Sequence, residues 1–368
     1  MRVLLVLVAV MVVANAAPAK SSWSSSLFGG IFGGKKAEAA PQKAEAVPKK
    51  TGGMFSMPAT PKKPAEHPVD AKKVAELIKV AKDTLSAGNV KAAADQFLTA
   101  LEADPDSFEA NSLIGSCYLV LNRPDLAEQF LYHAVHVSKW LDAVSVANLA
   151  ESLRLNNDSA LAIQVAIKGY EALGKKDESG LIEYVLGASY ADQKKYTLSS
   201  EWFLSAAMRQ PTNVEAWLLA STMKFPPVDQ NYKFAENVLV EGLKANENSV
   251  ELVHHMGIAM HHTGKFDQAI KCFTFVLESE PTNKDARTML ATALHAIGGR
   301  AVDALNAYNE AVKYDGENAV MLSNFALLLH SNFNTQVGGD VIANLAERAL
   351  KIEPKIPEAQ NILAMYRK

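Results

Sequence analysis

The chain has 368 residues, of which 49% are hydrophobic, 21% charged and 8% aromatic. That composition is globular and excludes a wholly disordered chain or a multi-span membrane protein. The net charge of −3 offers nucleic acid no overall basic character, and two cysteines exclude a disulfide-dense scaffold or a four-cysteine zinc site.

Arg2 precedes an apolar run from Val3 to Val13, and Ala14-Asn15-Ala16 follows. A basic start, a short apolar stretch and a small-x-small site make the pattern of a secretory signal peptide over residues 1–16. Cleavage is expected after Ala16, because Pro18 disfavours a cut after Ala17. The run is short for a membrane span, which needs about 20 residues. An uncleaved anchor is the alternative, and on either reading the rest of the chain lies outside the cytoplasm. The mature chain is expected to be secreted or periplasmic, with a eukaryotic secretory lumen left open and no span of its own.

Residues 17–69 form a linker rich in Gly, Ser, Pro, Ala and Lys. Ser21–Gly34 is Gly/Ser-rich with Trp23, Phe28 and Phe32 embedded, and KAEAAPQ (Lys36–Gln42) is followed by KAEAVPK (Lys43–Lys49). Such a stretch buries too little apolar surface to offset its chain entropy, so a disordered tether is expected. Residues 20–73 hold ten lysines and four acidic residues, a net +6. Residues 74–368 carry −10. The basic arm is either a soluble spacer or a segment that touches an anionic surface, such as a membrane periphery or the acidic body.

From residue 70 to 368 a pattern recurs every 34 residues or so. ADPDSFEA (Ala103–Ala110), RQPTNVEA (Arg209–Ala216), SEPTNKDA (Ser279–Ala286) and IEPKIPEA (Ile352–Ala359) each hold a Pro followed by an acidic-Ala pair. The proline stops one helix. Ser107, Asn213 and Asn283 suit the N-cap of the next, and Glu109, Glu215, Asp285 and Glu358 suit its first turn. Within a unit, position 8 is small, 11 large, 20 small, 24 large and 27 small. From Val250 these are Gly257, Met260, Ala269, Phe273 and Val276. From Gly180 they are Gly187, Tyr190, Ser199, Phe203 and Ala206.

This spacing resembles the tetratricopeptide repeat. The resemblance implies an all-α fold, a right-handed α-solenoid of helix-turn-helix repeats with a disordered N-terminal arm. About eight units start at Val74, Phe108, Ala143, Gly180, Val214, Val250, Lys284 and Ala319, and Pro357–Lys368 closes the array with a polar-faced helix. The third unit is degenerate, with no terminating Pro near Lys175. Insertions fall at Pro226-Pro227, near Gly298-Gly299-Arg300 and at residues 332–339. Helices A and B of a unit are expected to cross at positions 8 and 20, where small residues let the backbones approach.

In this family helix A lines a concave groove through positions 2, 5, 9, 12 and 13. Mapped onto this chain, the resemblance makes Leu85, Leu119, Tyr184, Leu218, Phe225, His254, His261, His295 and His330 the candidate partner-binding residues. Position 9 carries no Asn, so the family's carboxylate clamp for chaperone tails is absent. Six of nine histidines lie in the last three units, and His261, His295 and His330 recur at position 12, spaced 34 and 35 residues apart. They form either a pH-sensitive contact surface or a row of ordinary polar residues. His254 and His261 stand two turns apart, beyond the usual chelating step, so a metal role is remote.

Cys117 and Cys272 are separated by four repeats and read as buried small hydrophobes. No phosphate-binding loop, dinucleotide fingerprint, HExxH or serine-nucleophile motif is present. The expected function is an extracytoplasmic scaffold that binds a protein or peptide partner, with no nucleic acid, cofactor, metal or catalysis. The alternatives are a structural or self-assembling role in an envelope or secretory-pathway complex and, remotely, metal-carrying or enzymatic chemistry at the His-rich repeats. The sequence leaves the oligomeric state open.

Overall fold

The structure is a computed structural model that describes residues 70–174, 177–223 and 231–367. The signal segment, the linker and the Pro226-Pro227 insertion lie outside the described residues. Those residues form eighteen helices and no strand. The chain divides into two compact units, Met1–Met223 and Lys224–Lys368.

The first unit contains α1 (Ala71–Ser86), α2 (Val90–Ala103), α3 (Phe108–Val120), α4 (Pro124–Val137), α5 (Ala143–Leu155), α6 (Ser159–Leu173), α7 (Leu181–Asp192), α8 (Tyr196–Arg209) and α9 (Val214–Thr222). The second contains α10 (Tyr232–Ala245), α11 (Val250–His262), α12 (Phe266–Ser279), α13 (Lys284–Ala296), α14 (Ala301–Tyr314), α15 (Ala319–Asn332), the single turn α16 (Asn334–Val337), α17 (Gly339–Ile352) and α18 (Pro357–Tyr366). Within each unit every long helix packs on the next in sequence. The helices of the fifth repeat, α9 and α10, are thereby allotted to different compact units.

The boundary phrases act as expected. Ser107, Asn213 and Asn283 cap α3, α9 and α13 by accepting from the backbone N–H of Ala110, Ala216 and Ala286. Asp70 caps α1 in the same way, so that helix starts at Ala71, three residues before the expected Val74. Helices stop two residues ahead of Pro105, Pro211, Pro281 and Pro354. The degenerate third unit stops by other means: Gly174 takes φ +56° and ψ −133°, a positive-φ conformation open to glycine and costly for other residues.

The same device shapes the turn between the two helices of a repeat. Position 15 is left-handed in six units, at Gly88, Asn122, Asn157, Lys194, Gly264 and Gly298. In the first five of them the next residue donates its N–H five positions back, as from Arg123 to the carbonyl of Tyr118 (2.8 Å) and from Lys265 to that of Met260 (2.8 Å). This is the hydrogen bond that closes a helix C-terminus.

The packing inside a repeat adds a pairing to the expected crossing at positions 8 and 20. The small residue at position 8 makes room for the side chain at position 24. A Cβ on Gly257 would stand 2.7 Å from Phe273 Cε1, and one on Gly187 would stand 2.8 Å from the ring of Phe203. The third repeat is small at both places, with Ala150 at 8 and Ala166 at 24 fully buried, and its Gly169 at 27 faces Val146.

The cores follow. Val74, Ile78, Phe97 and Ile114 build one cluster of the first unit. Leu131, Trp140, Leu149, Leu153, Ile182 and Tyr190 build another. Tyr308, Met321, Phe325, Ile342 and Ile362 lie in the second unit's. A fully buried aliphatic or aromatic side chain is worth about 1.5–3 kcal/mol. The closing helix α18 buries Ala359 and Ile362 and exposes Glu358, Gln360 and Asn361, the polar outer face expected of it.

Candidate partner-binding face

The first helix of each repeat carries the candidate residues. In the first unit α3 packs against α5 and α5 against α7. In the second, α11 packs against α13, α13 against α15 and α15 against α18. Positions 5 and 9 therefore often sit at a seam between neighbouring helices rather than on free surface. Ser112, Ser116, Glu151, Thr288 and Ser323 are all buried. Leu119 is buried in the core of the first unit. Leu85, Tyr184, Leu218, His254, His261, His295 and His330 are half-buried, and Phe225 lies outside the described residues.

The seams of the first unit are polar and paired. Lys82 on α1 meets Glu109 on α3. Ser145 Oγ on α5 donates to Ser112 Oγ (2.9 Å) and Asn148 Nδ2 to Ser116 Oγ (3.0 Å). Arg154 holds Glu151 through two bonds of 2.7 Å and reaches across to Asp192 on α7 (2.9 Å). The hydrogen bond to Glu151, then the nearby Glu151 charge and Asp192, hold the guanidinium protonated more firmly than usual. Burial, followed by the charge and hydrogen bond of Glu215, raises the Tyr184 phenol, so this ring presents a neutral hydroxyl. Its face packs edge-on to Phe203, 5.2 Å between centroids. The sequence reading missed this ladder. The available signal was a run of Ser and Asn at positions about one repeat apart.

The second unit carries imidazoles on aromatic rings instead. His254 is edge-on to Phe273 (6.0 Å), His261 to Phe266 (5.4 Å), His295 to Tyr308 (6.3 Å) and His330 to Tyr366 (5.6 Å). His262 stacks on Tyr232 at 4.1 Å. His330 Nδ1 and the Tyr366 hydroxyl lie 2.7 Å apart, which ties the last repeat to α18. Burial lowers the pKa of His254, His255, His261, His262 and His295, so these five imidazoles are neutral near pH 7.

Burial pushes the thiols of Cys117 and Cys272 up to about 12, far from the thiolate a nucleophile requires. Both are free and buried, as expected. Among the described residues no group of three or more His, Cys, Asp or Glu is placed to hold a metal ion, and no helix is long and apolar enough to cross a membrane.

Comparison with known proteins agrees with the repeat reading. Residues 81–139 and 263–319 match the sequence profile of the tetratricopeptide repeat. The chain is 22% identical over 308 residues to the BBSome complex member BBS4 of Bos taurus, covering 75% of this chain and 58% of that protein. Among solved structures it is similar to the C-terminal part of a TPR repeat-containing protein from Cytophaga hutchinsonii (TM-score 0.47, 13% identity, 78% of this chain and 99% of that one). It is also similar to a tetratricopeptide repeat protein from Parabacteroides merdae (TM-score 0.41, 14% identity, 81% and 100%).

Proposed function

We propose, for a chain that carries tetratricopeptide repeats, that it is an extracytoplasmic scaffold which captures partner polypeptide on the face that the first helices make within each unit. The observation that carries this reading is the state of that face. Leu85, Leu218, Tyr184 and the histidines are only half-buried, while the small residues behind them are sealed against the second helices. Such positions can still lose solvent to a partner, and apolar contact with polar neighbours setting register is how helical grooves hold peptides. The basic start, apolar run and Ala14-Asn15-Ala16 site of residues 1–16 support the placement outside the cytoplasm.

The test is affinity capture from the native host with the full chain and with a Leu85→Glu/Leu218→Glu variant, both checked by thermal unfolding. The proposal expects one or more proteins held by the wild type and lost by the variant at unchanged stability. Identical captured sets from both proteins would place any binding elsewhere. Light scattering on the purified chain separates a self-assembling component from a monomeric binder.

A further inference from the structure

We propose that Asn157 is an acceptor for N-linked glycan. Asn157-Asp158-Ser159 is the one place in the chain where an asparagine is followed two residues later by Ser or Thr with no proline between them. This tripeptide is what a lumenal oligosaccharyltransferase accepts, on a surface segment of a secreted protein.

The structure puts the tripeptide where a glycan can be carried. Asn157 is the left-handed residue (φ +66°) at the tip of the turn between α5 and α6, and Asn156, Asn157 and Asp158 are all exposed. Its backbone N–H closes the turn on the carbonyl of Arg154 (3.0 Å). Its side-chain amide makes no hydrogen bond to a described residue, so a sugar on Nδ2 displaces nothing. Asn122 occupies the same left-handed position one repeat earlier, but Arg123-Pro124 follows it and no acceptor hydroxyl exists there.

In the folded turn both neighbours are occupied. Asp158 caps α6 by accepting from the N–H of Leu161 (2.9 Å), and Ser159 Oγ donates to Asp192 Oδ2 (3.3 Å). The glycan is therefore added to the segment before α6 forms, and the exposed tip then carries it. In the transfer, Asn157 Nδ2 bonds to C1 of the reducing-end sugar of a lipid-linked oligosaccharide. The bond from C1 to the lipid diphosphate oxygen breaks, the lipid diphosphate leaves, and the amide gives up one proton. No oxidation is involved.

This inference rests on the extracytoplasmic placement taken in its eukaryotic secretory-lumen form, and the experiment separates the two. The full chain is produced in a eukaryotic secretory cell in two forms, one with its own residues 1–16 and one with a proven cleavable leader in their place. Each is treated with peptide:N-glycosidase in heavy-oxygen water and the Asn157 peptide is read by mass spectrometry. With the proven leader, Asn157 is expected to be recovered as aspartate carrying the heavy label. The accompanying gel shift should vanish in Asn157→Gln and in Ser159→Ala, with Asn157→Gln unfolding like wild type. An unmodified Asn157 peptide from lumenal protein overturns the site. Modification with the proven leader, but not with the chain's own segment, upholds the acceptor and refutes delivery to the secretory lumen by residues 1–16.

Discussion

At the scale of single residues, what counts is which side chain fills the space a small one leaves. A helix-interior glycine costs about 1 kcal/mol relative to alanine, so Gly257→Ala has a gain to offset. Against that, the new Cβ would stand 2.7 Å from Phe273 Cε1 and 3.1 Å from Cys272 Cβ, inside a pair of helices where Phe273 is fully buried. Overpacking of this kind costs about 1–3 kcal/mol. The clash wins, and Gly257→Ala is expected to lower the midpoint of thermal unfolding, Gly257→Leu much more so. Gly187, with Phe203 at 2.8 Å, should behave alike. That position 8 needed a small residue was legible from the recurrence of Gly and Ala. That its neighbour is position 24 was not, because spacing along a helix does not say which turn of the facing helix lies opposite.

At the scale of the helix, each terminating proline is fastened by the helix that follows. Position 4 donates to the proline carbonyl six residues earlier, from Asn111 to Pro105 (2.9 Å), Trp217 to Pro211 (2.9 Å), Arg287 to Pro281, and Gln360 to Pro354 (2.9 Å). All four side chains carry an N–H, a regularity the boundary phrases contained and the Pro-based reading passed over. A net hydrogen bond is worth about 1 kcal/mol. Trp217→Phe, which keeps most of a buried ring but removes its donor, is expected to destabilise by roughly that amount in urea unfolding. Helix α11 carries a second prediction through its four histidines. Burial favours their neutral forms, although Asp285 and Glu280 pull His254 and Glu251 pulls His255 the other way. His254 and His255, like His261 and His262, oppose each other's protonation, and His254 Nε2 and both ring nitrogens of His261 are buried without partners. With folded values below the ordinary 6.5, the unfolded chain binds protons first as pH falls. Stability is full above about 7 and declines through 6.5 downward. The drop in unfolding midpoint from pH 7.5 to 5.5 should shrink in a His254→Gln/His261→Gln variant.

At the scale of the whole molecule, the sequence made an all-helical chain of consecutively paired helices legible, although the first helix starts at Ala71 and not at Val74. Each repeat states its own boundaries in capping residues and prolines, and repetition averages out local ambiguity. It did not yield the division at Met223 and Lys224, which falls inside the fifth repeat and depends on which helices find partners. Nor did it separate free from sealed candidates. Leu119 and Tyr184 share the same register logic, yet one is core and the other half-buried. The division has a consequence that spectroscopy can read. In repeat proteins stability is nearly a sum over neighbours, so damage need not spread beyond the unit that holds it. Trp140, Trp202 and Trp217 all lie in the first unit, and no tryptophan follows Met223. Gly257→Leu strikes the second. At a temperature where wild type is folded, that variant is expected to lose a large part of its far-ultraviolet helical signal while tryptophan emission stays at the wild-type wavelength. A red shift in emission that tracks the loss of helix would mean that the two units unfold as one.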